Sequence, residues 1–92
     1  MRKIEQDMWT AINGGVNWSK DNTQVSQFED TSDVFLHGHH IATINSYTGE
    51  LVVNTATLAN WPTNTTKSRL RALGANVETK KGITYLDGIE VC

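Results

Sequence analysis

The segment 32–53 constrains the fold more than any other part of the chain, because it alternates short runs of strand-forming residues with turn residues. Runs rich in β-branched and aromatic residues, bounded by Gly, Asn and Ser, are typical of successive β-hairpins. The segment therefore predicts an antiparallel meander. Its strands are expected at residues 34–36, 41–44 and 51–53, with turns at residues 37–39 and 46–49.

The order of side chains in these strands predicts which face is buried. Successive strand residues point to opposite faces, so Val34 and Leu36 share one face and Phe35 lies on the other. Residues 41–44 do not alternate cleanly, and the sequence leaves their inward face open. Residues 23–28 alternate loosely, and we expect Val25 to be their buried position.

The N-terminal residues predict a helix over about residues 2–13. Asn13-Gly14-Gly15 ends it, because Gly and Asn accept the left-handed conformation of a helix cap. So short a helix is marginal by itself and must dock on the sheet, with Trp9 and Trp18 at the seam. Its apolar face is formed by residues at helical spacing, namely Ile4, Met8, Ala11 and Ile12.

A second helix is predicted at residues 64–73, where Thr63 or Asn64 caps the start and Gly74 the end. A short turn of helix is expected just before it, at residues 57–59. The second helix has a narrow buried stripe made of Thr66, Leu70 and Leu73.

The second helix is also basic. Lys67, Arg69 and Arg71 are expected to face outward or sideways. Lys67 and Arg71 lie four residues apart, and like charges at that spacing cost a few tenths of a kcal/mol. Lys80 and Lys81 extend the basic character into the C-terminal tail.

The tail predicts a hairpin over residues 77–91 that turns at Lys81-Gly82 and again at Asp87-Gly88. The fold class predicted for residues 1–92 is α+β in a single domain. Its elements are an N-terminal helix, an antiparallel β-meander of about four strands, a second helix and a C-terminal β-hairpin.

Composition and charge narrow the classes of function. The net charge of −2 predicts no general attraction to nucleic acid. Residues 1–62 hold three bases against seven acids, whereas residues 63–92 hold five bases against three acids, so the tail is mildly basic on an acidic body. No apolar run approaches the roughly 20 residues of a membrane span. Cys92 is the single cysteine and allows no internal disulfide.

The sequence leaves open whether two copies of the chain pair. Edge strands at residues 23–28 or 83–91 would leave backbone groups unpaired, and such edges can join two copies of a chain. The sequence therefore allows a homodimer without requiring one.

His37, His39 and His40 form a cluster of metal-type ligands. Imidazole binds zinc well, but Gly38 predicts that all three histidines lie on a turn. We expect an exposed polar turn, with no bound metal and no cofactor. A general base remains the alternative, and the acidic partners considered for it are Glu29, Asp33 and Glu50.

Two strings of the sequence resemble a known group of proteins. They are residues 34–42, VFLHGHHIA, and residues 61–73, WPTNTTKSRLRAL. Together they resemble small, mostly uncharacterised proteins of tailed bacteriophages. The resemblance brings no catalytic residues with it. It implies an intracellular phage protein made in an infected bacterium, of a kind that often binds and disables a host enzyme or defence complex.

These observations predict a non-enzymatic phage protein that binds a host protein or protein complex in the host cytoplasm and inhibits host defence or metabolism. The alternative is a nucleic-acid-binding accessory protein that uses the basic helix 64–73. Neither hypothesis involves a membrane or a catalytic residue. The residues expected to bind the partner are Trp61, Lys67, Arg69, Arg71, Lys80 and Lys81.

Overall fold

The computed structural model describes residues 1–91 as an α+β fold with a five-stranded and a three-stranded antiparallel sheet, which confirms the predicted class. Cys92 lies outside the described residues. None of the helices described is long and apolar enough to cross a bilayer. The elements are α1 (Lys3–Gly14), β1 (Trp18–Lys20), β2 (Thr23–Phe28), β3 (Thr31–Leu36), β4 (His39–Asn45), β5 (Leu51–Val53), α2 (Thr55–Asn60), α3 (Asn64–Ala72), β6 (Val77–Lys80), β7 (Ile83–Leu86) and β8 (Ile89–Glu90).

The larger sheet is a simple meander in which β1 to β5 pair with their sequence neighbours. It has one strand more than the predicted four, because Trp18–Lys20 adds to the edge of β2. The predicted alternation in β3 is confirmed, since Val34 and Leu36 are buried and Phe35 is not. Val25 pairs with Val34 and is buried as expected.

A β-bulge explains why residues 41–44 show no clean alternation. Val34 lies opposite Ala42, but the next residue, Phe35, lies opposite His40. Ile41 is therefore the extra residue of β4, and both Ile41 and Ala42 are buried. A period of two cannot describe a strand that inserts a residue at this point.

Tight turns join the hairpins at the predicted positions. His37 and Gly38 have φ angles of 52° and 80°, and Lys81 and Gly82 have φ angles of 52° and 78°. Positive φ at both central residues is the mark of the two-residue turn that matches the twist of paired strands. The β7–β8 turn repeats the pattern at Asp87-Gly88. The C-terminal region is therefore a three-stranded sheet, one strand more than the predicted hairpin.

The expected edge strand at residues 23–28 is wrong. These residues form β2, which pairs with β1 on one side and β3 on the other. In the tail, β7 is likewise central, and β8 lies at the edge of the smaller sheet. Pairing between chains through β2 is excluded, because its backbone groups already serve two neighbouring strands.

The three helices pack with the meander to form the core. α1 contacts β1 and β2, whereas α2 and α3 contact β4. The predicted stripe of α1 is confirmed at Met8, Ala11 and Ile12, which are buried, whereas Ile4 is half-buried. The stripe of α3 is buried too, at Thr66, Leu70 and Leu73. Trp9 packs against the core, and its Nε1 donates a hydrogen bond to the Ala72 carbonyl oxygen at 2.6 Å, which fastens α1 to the end of α3.

A buried ion pair joins α1 to α3. Glu5 and Arg69 are 3% and 5% exposed, and Arg69 Nη1 lies 2.8 Å from Glu5 Oε2. Arg69 Nε also donates to Thr23 Oγ1 of β2 at 3.1 Å, and the Ser68 hydroxyl donates to Glu5 Oε2 at 2.6 Å. One guanidinium and one carboxylate therefore connect two helices and a strand.

The expectation that the bases of α3 face outward or sideways is wrong for two of them, which are buried. Arg69 is committed to the ion pair, and Lys67 is only 7% exposed, with its Nζ donating to Thr79 Oγ1 of β6 at 2.6 Å. Arg71 is exposed, but its Nε donates to the Val77 carbonyl oxygen at 2.8 Å. Because Lys67 and Arg71 are four residues apart, they lie on the same side of α3, and from there both bind β6.

The pKa of Glu5 lies below its ordinary value of 4.5. Burial alone raises this pKa, but the hydrogen bonds from Ser68, the Arg2 backbone N–H and Arg69, together with the charge of Arg69, outweigh it. The carboxylate is thus held in its ionised form at the start of α1, where the helix dipole also favours negative charge.

Arg69→Met is expected to lower the free energy of unfolding by about 3 to 5 kcal/mol, because it leaves Glu5 buried and charged without a partner. Arg71→Met is the matched control in the same helix, where the removal of one part-buried hydrogen bond costs about 1 kcal/mol. Urea denaturation measures both variants. Equal destabilisation of the two would contradict a central role for the ion pair.

Acid is expected to weaken the fold through Glu5. Because the folded pKa is below 4.5, this carboxylate stabilises the fold above that pH, and the contribution is lost as the pH falls through the folded pKa. Glu5→Gln should therefore be less stable than the native chain at neutral pH but flatten the decline below about pH 5. Glu50→Gln, at an exposed position, serves as the control and should leave the profile unchanged.

Candidate functional site

A small pocket lies between the β3–β4 turn and the loop that follows α2. Its volume is about 140 Å³, and its lining is largely apolar. His37 and His39 of the turn contribute to its wall. The remaining lining residues come from the end of β3, the bulge of β4, α2 and the start of α3, namely Leu36, Ile41, Thr57, Trp61, Thr63 and Thr66. The pocket is therefore built where the meander meets two helices.

Trp61 stacks on His39 beside this pocket. The ring centroids are 4.7 Å apart and the ring planes differ by 24°. The Trp61 backbone N–H donates to the Thr57 carbonyl oxygen at 2.8 Å, which ties the residue to the end of α2. Pro62 follows directly and restricts the backbone of Trp61. The residue is therefore held in place by its neighbours while remaining 50% exposed.

The lining hydroxyls at the start of α3 already have partners. Thr63 Oγ1 lies 3.0 Å from Thr66 Oγ1 and accepts a hydrogen bond from the Thr66 backbone N–H at 3.2 Å. This is the capping contact that starts α3, as predicted for Thr63. Neither hydroxyl needs a polar atom from a ligand. Because the surface exposed in the pocket is also almost entirely apolar, the pocket favours an apolar occupant.

His40 points to the opposite face of the meander from His39, because neighbouring strand residues alternate. Its Nε2 lies 2.8 Å from Thr43 Oγ1, and the Thr43 hydroxyl donates to Asp33 Oδ1 at 2.6 Å. A hydroxyl has a single proton, so Nε2 must carry the proton of the His40–Thr43 bond. On the other side of the ring, the Asn54 amide donates to Nδ1 at 3.2 Å.

These hydrogen bonds form a polar chain of side chains, Asp33–Thr43–His40–Asn54, which also reaches the start of α2. Asn54 Oδ1 accepts a hydrogen bond from the Thr57 backbone N–H at 3.1 Å and so caps the helix. The capping bond fixes which end of the amide faces His40. His40 therefore acts as a neutral donor towards Thr43, an arrangement that orients side chains and does not set His40 to remove the Thr43 proton.

The prediction that all three histidines lie on a turn is wrong for His39 and His40, which belong to β4. His37 is exposed in the turn, His39 stacks on Trp61, and His40 joins the polar chain on the other face. Among residues 1–91 there is no cluster of three His, Cys, Asp or Glu residues placed to hold a metal ion. Of the three acids considered as partners for a histidine base, Asp33 is the one that contacts His40, with its Oδ1 3.6 Å from His40 Nε2.

The six residues expected to bind a partner fall into different environments. Trp61 lies at the pocket, Lys67 and Arg69 are buried in internal contacts, and Arg71 is exposed with one internal bond. Lys80 is exposed, and its Nζ lies 3.5 Å from Glu78 Oε2. Lys81 occupies the β6–β7 turn. The structure does not gather them into one cationic surface.

Sequence reasoning missed the contact between His39 and Trp61 and the lining residues Leu36, Ile41 and Thr57. No local pattern joins positions 39 and 61, because the contact depends on how α2 lies against β4. The two segments that resemble phage proteins did point to both residues, since segment 34–42 contains His39 and segment 61–73 begins with Trp61. Those strings are the two sides of the pocket.

Asn54→Ala is expected to lower the free energy of unfolding by about 1 to 2 kcal/mol, because it removes both the cap of α2 and the donor to His40. Asn54→Asp should cost less, since a carboxylate still caps the helix. Asn60→Ala changes an exposed amide in the same helix and is the matched control. A cost for Asn54→Ala no larger than that control, in urea denaturation, would contradict this role.

Comparison with known proteins gives the chain a family. The family model described as "Kyanoviridae Gp96 protein" matches residues 1–91. Neither a curated protein nor a solved structure matches the chain. The match covers both strings on which the resemblance to phage proteins rests, and it confirms that resemblance. The chain belongs to the Kyanoviridae Gp96 family of phage proteins.

Proposed function

We propose that this phage protein is a non-enzymatic binder of a host protein or protein complex in the host cytoplasm, and that it inhibits host defence or metabolism. The surface we assign to this role is the Trp61 surface, defined as Trp61, His39 and the pocket beside them. The observation that carries the proposal is a half-exposed tryptophan that stacks on His39 beside an apolar pocket.

Interface energetics support this choice of surface. A few residues supply most of the binding energy in protein complexes, and tryptophan is enriched among them, particularly where it adjoins a pocket. Trp61 is already ordered by the His39 stack, its backbone bond to Thr57 and the following Pro62. The backbone bond and Pro62 restrict the backbone of Trp61, and the His39 stack restricts its ring, so burial of the exposed half of the ring would contribute to affinity at a reduced entropic cost.

The exposed bases have a secondary part in the proposal. Lys67 and Arg69 hold the fold together, which leaves Arg71, Lys80 and Lys81 as the exposed members of the expected basic set. Charges at the rim of an interface mainly affect the rate of association and its salt dependence. They would steer an acidic partner surface towards Trp61 without supplying most of the affinity.

Nucleic-acid binding is the second candidate, supported by the exposure of Lys80 and Lys81 in the β6–β7 hairpin. The burial of Lys67 and Arg69 weakens it, because a protein with fewer bases free to bind phosphate has both a lower affinity and a weaker dependence on salt. Binding through the two lysines of this hairpin would still weaken as salt increases. Binding centred on Trp61 would change little.

Trp61→Ala is expected to weaken binding to the host partner by about thirtyfold, the usual loss at a tryptophan that dominates an interface. Proteins retained from host lysate by the native chain are identified, purified and titrated by calorimetry against each variant. Tyr47→Ala removes an aromatic ring that is 83% exposed on the β4–β5 turn, and is the matched control.

The paired lysine variant Lys80→Glu/Lys81→Glu separates the two candidates. The proposal expects it to change the association rate and leave most of the affinity. Failure to retain a specific host protein, or equal affinities for Trp61→Ala and Tyr47→Ala, would contradict the proposal. Retention of DNA or RNA that depends on salt and is lost with the lysine variant would favour the second candidate.

A further inference from the structure

We infer that the pocket beside Trp61 is a binding site for a single uncharged aromatic ring, the side chain of a phenylalanine that projects from the partner protein. The inference rests on the proposed function, because it takes the occupant to be part of a protein. It goes further by naming the chemical group that enters and the wall that it contacts.

The volume of the pocket limits the occupant to one ring. A cavity of about 140 Å³ is well below the roughly 300 Å³ at which pockets for whole cofactors and drug-sized ligands begin. An engineered protein cavity of about 150 Å³ with an apolar lining binds benzene. A phenyl group therefore has the right size, whereas a nucleotide or a whole cofactor is too large.

The lining decides the chemistry of the occupant. Leu36, Ile41 and Trp61 supply apolar surface, and none of the lining residues is Asp, Glu, Lys or Arg. The Thr63 and Thr66 hydroxyls lie within hydrogen-bonding distance of each other. The surface that the lining residues, His37, His39 and Thr57 included, expose to the pocket is almost entirely apolar. A charged or strongly polar group would lose its hydration against this surface, so an uncharged apolar group is favoured.

The wall favours an aromatic group over an aliphatic one. His39 and Trp61 present stacked rings at the pocket, and aromatic pairs gain a contribution beyond the area that they bury. The two rings are held by the turn at His37-Gly38 and by the end of α2, so the wall exists before a ligand arrives. A phenylalanine side chain meets both conditions, since it carries an uncharged ring on a short flexible stem.

The test uses the isolated chain and N-acetyl-phenylalaninamide, followed by NMR of the Leu36 and Ile41 methyl groups and the Trp61 indole. We expect saturable shifts confined to these groups, and at least threefold weaker binding of N-acetyl-leucinamide. N-acetyl-alaninamide should cause no shifts. Toluene should bind as well, since it carries the same ring.

Two substitutions at one position provide the matched variants. Thr57→Leu adds volume to the lining and should weaken ring binding at least tenfold, whereas Thr57→Val keeps the volume and should preserve it. The NMR spectrum of each variant reports whether it is folded, and Thr57→Met replaces Thr57→Leu if the latter does not fold.

The inference is overturned if no saturable shift occurs, if the leucine compound binds as tightly, or if the enlarged side chain has no effect. Binding of toluene without the phenylalanine compound would assign the pocket to a free small molecule and would also overturn it. Because no partner is present, these failures are distinct from failure of the proposed function. Ring binding without any host partner would overturn the function alone.

Discussion

The ion pair between Glu5 and Arg69 is the interaction on which the arrangement of the helices depends. It joins residues 64 positions apart in the chain, and it does so in the interior, where each charge is costly without the other. Thr23, Ser68 and the Arg2 backbone satisfy the remaining hydrogen-bonding groups of the pair. α3 is thereby fixed against α1 and β2, and the start of α3 forms one wall of the pocket.

Local structure could be predicted because its causes are local. The turns at His37-Gly38 and Lys81-Gly82 are determined by residues that accept positive φ, and the buried stripe of α3 follows from helical spacing. The bulge at Ile41 could not be predicted in the same way. It breaks the period of two by which a strand is recognised in a sequence, and only the pairing with β3 reveals it.

The site could be predicted only in part, for a physical reason. Charged residues are usually exposed, so the run of bases in α3 indicated a surface. Arg69 and Lys67 depart from that rule because each has an acceptor on another element, Glu5 of α1 and Thr79 of β6. A sequence does not reveal such distant partners. Trp61 was singled out as a partner-binding residue, and the structure places it at the pocket, but its companion His39 was assigned to a polar turn and not to an aromatic wall.

The two-residue turn before His39 also fixes which histidine meets Trp61. Side chains on neighbouring strand positions face opposite ways, so one residue inserted into or removed from this turn would shift the register of β4 by one. His39 and His40 would then exchange sides of the sheet. The length of the turn therefore preserves the aromatic wall, and replacement of His37 by Asn or Asp, which also accept positive φ, would keep it.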